Sequence, residues 1–270
     1  MTIFSLMSVG LGCIDGIEVE LWGECYNIEE TISLTLDNNN LTGEIPSEIG
    51  NLTNLTVLTL SLNQLTGSIP LEIGNLTNLT MLTLGSNQLT GEIPPEIGNL
   101  MNLQNLYLNN NELTGEIPSD IGNLTNLNYL KLSENQFIGE IPSEIGNLIN
   151  LSLLSLESNQ LYGEFPLEIG NLINLTHLNL SDNQLYGEIP PQLWNRNLYS
   201  LSLYDNQLSG VIPPEIGNLF NLQILFLWGN QFTGQIPLEI ENLTILNNLR
   251  LENNQLSGEI PESICIHSGL

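Results

Sequence analysis

Side chains that could carry out catalysis are few and scattered in this sequence. The histidines are His177 and His267, and the cysteines at positions 13, 25 and 265 do not form a zinc-binding set. No HExxH, GxSxG or GxxxxGK[ST] motif is present. Carboxylates are abundant, but a glycosidase needs two of them facing one cleft at a set separation. The sequence therefore predicts a protein that is not an enzyme and that needs no metal or other cofactor.

Charge limits what the protein could bind. Thirty acidic residues against three basic ones give a formal net charge of −27. This balance argues against nucleic acid or an anionic membrane surface as a partner. No apolar run reaches 18 residues, so no membrane insertion is expected within this chain.

A repeat of 24 residues must position whatever side chains bind a ligand. The stretch from Leu58 to Leu79, LTLSLNQLTGSIPLEIGNLTNL, is copied through most of the chain. Ten equivalent leucines begin the copies, at positions 34, 58, 82, 106, 130, 154, 178, 201, 225 and 249, and one step alone is 23 residues instead of 24. The pattern LxLxxNxL at this period is typical of leucine-rich repeats. One such copy cannot bury its own core, so a single continuous solenoid is expected.

Each position of a copy has a predicted structural task. Leu58 and Leu60 alternate into the core from a short strand, which turns Thr59 outward. Gly67 fits a position with unusual backbone dihedrals, and Pro70 should end strand pairing because it has no N–H to donate. The asparagine that ends LxLxxN should form an internal ladder whose amides bond the turning backbone. Its members are Asn39, Asn63, Asn87, Asn111, Asn135, Asn159, Asn183, Asn206, Asn230 and Asn254.

The LxGxIP element carries a more specific resemblance. LTGEIP at 41–46, LTGSIP at 65–70 and LTGEIP at 89–94 resemble the plant-type subclass of leucine-rich repeats, which is found in receptor ectodomains. The resemblance implies an α/β repeat solenoid, coiled as a right-handed superhelix with a parallel β-sheet on its concave face. It also implies a second short strand near LxGxI and 3₁₀ or irregular turns on the convex side. Bacterial and other non-plant proteins use similar repeats, so the source stays open.

Both ends of the array depart from the repeat. Residues 1–12, MTIFSLMSVGLG, are interpreted as a signal peptide remnant, with a buried apolar segment or a lipoprotein site at Cys13 as alternatives. Residues 13–33 should form an N-terminal cap, 34–248 nine repeats, and 249–270 a tenth, incomplete repeat. Cys265 in that last repeat is either a free thiol or the partner of a cysteine beyond residue 270.

The cap has its own resemblance. WGEC at 22–25, followed by ETISLTL, resembles the WxGxxC cap of plant-type arrays, although its spacing is one residue shorter. The resemblance implies a disulfide between Cys13 and Cys25, and with it an oxidising compartment. Two reduced, buried thiols are the alternative.

Acidic residues recur at two fixed repeat positions. The first row is Glu44, Glu92, Glu116, Glu140, Glu164, Glu188 and Glu259, and the second is Glu48, Glu72, Glu96, Asp120, Glu144, Glu168, Glu215 and Glu239. Stacked copies lie about 4.8 Å apart at the strands, so each set should form a row of like charges. Such a row is interpreted as a solvated face, with weak divalent-cation binding as the alternative.

The seventh copy breaks the pattern. IPPQLWNRNLYSL lacks one residue, most simply the leucine after Asn195. Trp194 either fills the vacancy in the core or, with Arg196, marks a local contact site.

Ligand binding is expected on the outward strand positions, where packing does not dictate the residue. The candidate residues are Tyr107, Tyr129, Lys131, Glu157, His177, Tyr204, Phe226, Trp228, Arg250 and Glu252. Aromatic and arginine side chains are enriched in binding hot spots, so the C-terminal half of this face is favoured. We expect a secreted or cell-surface module that binds a protein, peptide or glycan. An adhesive or ice-interacting surface protein, or a fragment of a signalling receptor, remain alternatives, and the oligomeric state is left open.

Overall fold

The computed structural model describes residues 12–261 of the 270-residue chain. Apart from Gly12, the predicted signal peptide remnant lies outside the described residues, and so does Cys265.

One long sheet runs through the whole array. Its ten strands are all parallel and follow one another in chain order, each paired only with the strands of the preceding and following copies. The register joins equivalent residues, so Leu58 lies between Leu34 and Leu82. The strands are Ser33–Thr35, Val57–Thr59, Met81–Thr83, Asn105–Tyr107, Tyr129–Lys131, Leu153–Ser155, His177–Asn179, Ser200–Ser202, Ile224–Phe226 and Asn248–Arg250. The predicted ten-stranded parallel sheet is confirmed.

The interior is one continuous apolar core. Leu58, Leu60, Ile73, Leu76 and Leu79 of the second copy are fully buried, and their counterparts in the following copies join the same cluster. Burying the same side chains copy after copy is what holds the solenoid together, because each repeat shields the core of its neighbour.

The asparagine ladder is also confirmed. Asn63 donates from Nδ2 to the carbonyl oxygens of Leu36 and Leu60, at 2.8 and 2.9 Å. Its Oδ1 accepts the backbone N–H groups of Asn39 and Leu41, both at 2.9 Å. One amide thus bonds the backbones of two successive copies, which ties the turn after each strand to the next turn.

Short strands form a second row beyond the turn. They are Thr42–Glu44, Gln64–Thr66, Thr90–Gly91, Glu112–Leu113, Tyr162–Glu164, Gln184–Glu188, Gln207–Ser209, Thr233–Gln235 and Gln255–Ser257. Here the register is staggered, since Glu44 pairs with Thr66 and Glu164 with Tyr186. Gly67 has a φ of 72°, as its position required. We call these strands the second strands, and they match the second short strand that the resemblance implied.

Each of the first nine copies contains one 3₁₀ helix. The helices are Ser47–Asn51, Leu71–Asn75, Pro95–Asn99, Ser119–Asn123, Ser143–Asn147, Leu167–Asn171, Pro191–Asn195, Pro214–Asn218 and Leu238–Asn242. Pro70 stands just before the second of these helices, in an extended conformation, and ends the strand as expected. The two acidic rows therefore lie on different elements: Glu44 belongs to a second strand, whereas Glu48 and Glu72 lie in first turns of 3₁₀ helices.

The N-terminal cap is an antiparallel hairpin. Strands Glu18–Leu21 and Glu24–Asn27 pair, and Leu21 is buried against the first repeats. A disulfide joins Cys13 to Cys25 with their Cα atoms 5.4 Å apart, the pairing that the resemblance implied. Trp22 donates from Nε1 to the carbonyl oxygen of Glu44 at 3.2 Å. The cap thus covers the first copy through both apolar and polar contacts.

Trp194 packs in the core, as the first of the two alternatives predicted. It is 2% exposed and belongs to the continuous apolar cluster. The tryptophan stands where other copies have glycine, such as Gly74, whose added Cβ would lie 2.6 Å from the carbonyl oxygen of Glu96. Arg196, extended at φ −100°, takes the place of the usual leucine, and its Nη2 donates to the carbonyl oxygen of Gly170.

Candidate ligand-binding surface

The most elaborate side-chain arrangement on the outer face of the long sheet lies at its C-terminal end. The rings of Tyr204 and Trp228 stack with centroids 4.6 Å apart and planes 5° from parallel. The guanidinium Cζ of Arg250 lies 4.5 Å from the centre of the Trp228 ring. Arg250 also donates from Nε to Oε1 of Glu252 at 2.6 Å, and its Nη2 contacts the same carboxylate. We call these four residues the Trp228 cluster.

The repeat itself positions this cluster. Tyr204 and Trp228 are one period apart, so they occupy the same place in neighbouring copies and their rings fall into register. The backbone ladder continues past the strands to hold them, since the N–H of Asp205 donates to the carbonyl oxygen of Trp228 at 3.0 Å. Phe226 pairs with Arg250 across the next strands and lies half-buried beside the cluster. The ring of Trp228 is covered by its two neighbours, Tyr204 and Arg250, and is only partly exposed.

A second, smaller cluster lies three copies closer to the N-terminus. Lys131 Nζ stands 5.0 Å from the centroid of the Tyr107 ring. Asn105 Nδ2 donates to the Tyr107 hydroxyl at 3.3 Å, and Tyr129 is exposed on the strand beside it. We call Tyr107, Tyr129 and Lys131 the Tyr107 cluster. A cation against an aromatic face is a feature of both clusters.

Glu157 and His177 lie between the two clusters. Glu157 accepts from the Ser155 hydroxyl at 2.5 Å, so its carboxylate is held close to the sheet. His177 is exposed, with its Nδ1 2.9 Å from the hydroxyl of Thr176. Its ring centroid is 6.0 Å from that of Tyr199, an exposed residue that sequence analysis did not select. Tyr199 precedes its strand, at a position usually filled by threonine or another small polar residue, and this exception was the signal for it.

The floor between the clusters is built from small side chains. Ser155, Ser181 and Ser202 face outward but are almost inaccessible. The same holds for Thr59 and Thr83 in the N-terminal half, 7% and 8% exposed, which corrects the expectation that such residues are open to a ligand. Strands about 4.8 Å apart leave little space around a short side chain whose neighbours are longer. Between the two clusters the accessible outward side chains are therefore the longer ones, such as Glu157 and His177.

Positive charge is concentrated on this face. Two of the three basic residues, Lys131 and Arg250, belong to the two clusters. The pKa of Asp205, beside the Trp228 cluster, is raised by desolvation and by the carboxylate of Asp182, while Arg250 acts in the opposite direction. The face thus combines aromatic side chains with both signs of charge, a composition suited to binding.

Neither a metal centre nor a membrane-spanning helix is found in the part of the chain that the structure describes. No group of three or more His, Cys, Asp or Glu side chains within residues 12–261 is arranged to hold a metal ion. No helix within the same residues has the length and apolar character needed to cross a bilayer.

Comparisons with known families agree on the repeat. A leucine-rich repeat region model matches residues 86–183, and a leucine rich repeat model matches residues 32–89. A third leucine-rich repeat model matches residues 174–195, 197–219, 221–243 and 246–266. No match was found among the curated proteins compared with the chain.

Solved structures are similar over most of the chain. A plant peptide hormone receptor, RGFR1 in complex with RGF2, is 41% identical with a TM-score of 0.84 and covers 86% of this chain. The ectodomain of the receptor kinase GASSHO1/SCHENGEN3 from Arabidopsis thaliana, in complex with CASPARIAN STRIP INTEGRITY FACTOR 2, is 40% identical with a TM-score of 0.77 and covers 87%. This chain spans 38% and 31% of those two proteins. A plant ice-binding protein is 33% identical with a TM-score of 0.68, and the match covers 82% of this chain and 72% of that one.

Proposed function

Because this chain belongs to the leucine-rich repeat family, in its plant-type subclass, we propose that it is a non-catalytic extracellular module that binds an extended peptide on the outer face of its long sheet. The observation that carries the proposal is the stack of Tyr204, Trp228 and Arg250. Partly exposed aromatic rings next to an arginine have the composition of a binding hot spot. Similar receptor ectodomains are described in complex with peptide hormones, which supports a peptide as the ligand class.

The spacing of the two clusters sets the expected length of the peptide. Four strand steps separate the copy that contains Lys131 from the copy that contains Trp228, which is about 19 Å at the spacing of parallel strands. An extended chain of about six residues covers that distance. The peptide would cross the small serine floor, with one end at the Tyr107 cluster and the other at the Trp228 cluster. Glu157 and His177 would contact its middle.

Secretion is part of the proposal. A disulfide between Cys13 and Cys25 is stable in an oxidising compartment and is rare in reducing ones. Because the chain spans under half the length of the similar receptors, receptor signalling is not included in the function proposed here.

Selection from a library of random linear peptides tests the site. Peptides selected on the wild-type protein should bind a Phe226→Ala, Trp228→Ala variant about 30-fold more weakly, the effect of losing a hot spot of 2 kcal/mol. The matched control is Val57→Ala with Met81→Ala, two half-buried apolar side chains on the N-terminal part of the same face. If the control pair abolishes binding and the aromatic pair does not, the proposed site is misplaced.

Ice binding is a second candidate, favoured by a row of hydroxyl groups. Thr42, Thr66 and Thr90 are exposed at the same place on successive second strands, and an ice-binding protein is among the similar structures. A Thr66→Tyr, Thr90→Tyr variant introduces a residue that the sixth and seventh copies carry at this place. If the row binds ice, the variant should lose inhibition of ice recrystallisation while keeping its melting temperature. Unchanged inhibition, or none in the wild type, would exclude this row as an ice-binding site.

A further inference from the structure

A surface distinct from the long sheet lies where the second strands meet the 3₁₀ helices. Two adjoining depressions of about 440 and 420 Å³ open there in the middle of the array. Tyr186 and Glu164 line the first, Tyr162 and Glu116 line the second, and Glu140 borders both. We call the two depressions together the lateral groove. It does not include any residue of the Trp228 or Tyr107 clusters.

The tyrosines of the groove are exceptions to the repeat that packing does not explain. Their position on the second strands holds Thr42, Thr66, Thr90 and Thr114 in the first four copies. The next three copies carry Ile138, Tyr162 and Tyr186, whose side chains are 44%, 50% and 47% exposed. Packing of the core does not explain large apolar side chains that remain outside it. Neighbouring exposed aromatic residues of this kind mark interaction surfaces.

The staggered register brings a carboxylate next to each of these side chains. Glu164 pairs directly with Tyr186, and Glu116 bridges to Ile138. Neighbouring strands lie about 4.8 Å apart, so a carboxylate and a large side chain that are paired in this way face the solvent together. Glu140 and Tyr162 line the same depression.

Glycines pack closely against two of these glutamates. An added Cβ on Gly163 would lie 2.7 Å from Cγ of Glu140, and one on Gly139 would lie 2.8 Å from Cγ of Glu116. The stems of Glu140 and Glu116 are thus packed over the backbone of the following copy. Glu164 is packed less closely, since an added Cβ on Gly187 would lie 3.8 Å from its Cγ.

No basic side chain of the chain neutralises the groove within residues 12–261. Lys131 and Arg250 belong to the long sheet, and Arg196 is bonded to the carbonyl oxygen of Gly170. The ion pair found among the described residues is that of Arg250 with Glu252, outside the groove. A lysine or arginine side chain satisfies both groove components, because it pairs with a carboxylate and stacks on a tyrosine face.

We infer that the lateral groove binds a basic peptide segment. One cationic side chain of the segment lies between the Glu164 carboxylate and the Tyr186 ring. A second lies between Glu140 and Tyr162 in the adjoining depression. This site is independent of the proposed peptide site on the long sheet, and both surfaces can be occupied at once because they are built from different strands.

An octa-arginine peptide is the probe, with its affinity measured by fluorescence anisotropy. The decisive variant is Tyr162→Thr with Tyr186→Thr, which restores the residue of the first four copies and leaves the net charge unchanged. Loss of two exposed cation–π contacts should weaken binding about 5- to 30-fold. The thermal melting curve checks that the variant is folded, and threonine at this position is already part of four folded copies.

Charge-matched variants distinguish binding in the groove from the general attraction between an acidic protein and a cationic peptide. Glu140→Gln with Glu164→Gln should weaken binding more than Glu44→Gln with Glu92→Gln, which removes two charges from the same row away from the tyrosines. Equal losses, or unchanged binding by the tyrosine variant, would overturn the inference. Loss of octa-arginine binding by the Phe226→Ala, Trp228→Ala variant would place the basic peptide on the long sheet. A changed sedimentation coefficient for the tyrosine variant, with unchanged peptide affinity, would assign the groove to self-association instead.

Discussion

Replacing Asn135 by alanine should destabilise the middle of the array by several kcal/mol. Its Nδ2 donates to the carbonyl oxygens of Leu108, Leu132 and Ser133 at 3.0, 3.1 and 3.1 Å, and its Oδ1 accepts the N–H of Leu113 at 3.1 Å. The carbonyl oxygens of the two leucines keep a partner in the variant, because the neighbouring ladder asparagines also donate to them. The N–H of Leu113 loses its acceptor inside the protein.

The expected loss of stability depends on which groups keep a hydrogen-bond partner in the variant and which do not. One orphaned buried N–H costs about 1–3 kcal/mol. The lost Nδ2 has two N–H groups, which its three acceptors share, and each of these two adds about 0.5–1.5 kcal/mol. The free energy of unfolding should therefore fall by about 2–6 kcal/mol. Urea denaturation followed by circular dichroism measures the change, and hydrogen exchange at the Leu113 amide shows whether the damage is local.

Asn105→Ala provides the control for this experiment. Asn105 faces the outer side of the long sheet and its side chain bonds only the Tyr107 hydroxyl, at 3.3 Å, among the contacts of the described residues. Its loss should change stability by less than about 0.5 kcal/mol, as for other surface substitutions. Equal denaturation midpoints for the two variants would refute the argument that the ladder amides stabilise the array.

Three further predictions concern packing and charge. Trp194→Ala should lower the free energy of unfolding, measured by urea denaturation, by about 3–5 kcal/mol, because it empties a buried site in the shortened copy. A loss below about 1 kcal/mol would mean that the core collapses around the gap. The melting temperature should rise with added NaCl, because screening weakens the repulsion within the two acidic rows. A melting temperature that does not change with NaCl would show that repulsion within the rows does not affect stability. Asp205→Asn should raise the melting temperature at pH 7. The pKa of Asp205 is raised in the folded protein, so its ionisation opposes folding. The gain in melting temperature should therefore vanish as the pH falls through the titration of Asp205. A gain that persists at acidic pH would instead point to the amide's preference for the positive φ of 49° at this position.

Most of the fold could be predicted because the same residue pattern occurs in ten copies. A leucine at positions 58 and 60 is a weak signal alone, but the same pair in each copy leaves one arrangement that buries them all. The asparagine ladder followed in the same way, since a polar amide at a fixed place beside the core must find partners. The glycine and proline of LxGxIP fixed where the second strand ends.

The candidate site was less predictable because it depends on distances between side chains of different copies. Sequence spacing placed Tyr204 and Trp228 in equivalent positions, but their parallel stacking depends on how the copies are rotated against each other. The burial of Thr59 was missed for a related reason, since outward direction in a strand was equated with exposure. The staggered register of the second strands, which pairs Glu164 with Tyr186 across 22 residues and not 24, could not be derived from the period at all.

The location of both proposed sites follows from how a repeat array separates stability from function. Each copy contacts only its neighbours, and the inward positions alone determine whether it stacks. Outward positions on either row of strands can therefore change without affecting the core, and here they change in two places: Tyr204, Trp228 and Arg250 on the long sheet, and Tyr162 with Tyr186 on the second strands. The lateral groove lies in the fourth to seventh copies and the Trp228 cluster in the eighth to tenth. A ligand bound at one surface would order side chains that do not belong to the other surface. The affinities of the long sheet and of the lateral groove for their ligands should therefore be independent, unless a single ligand spans both surfaces.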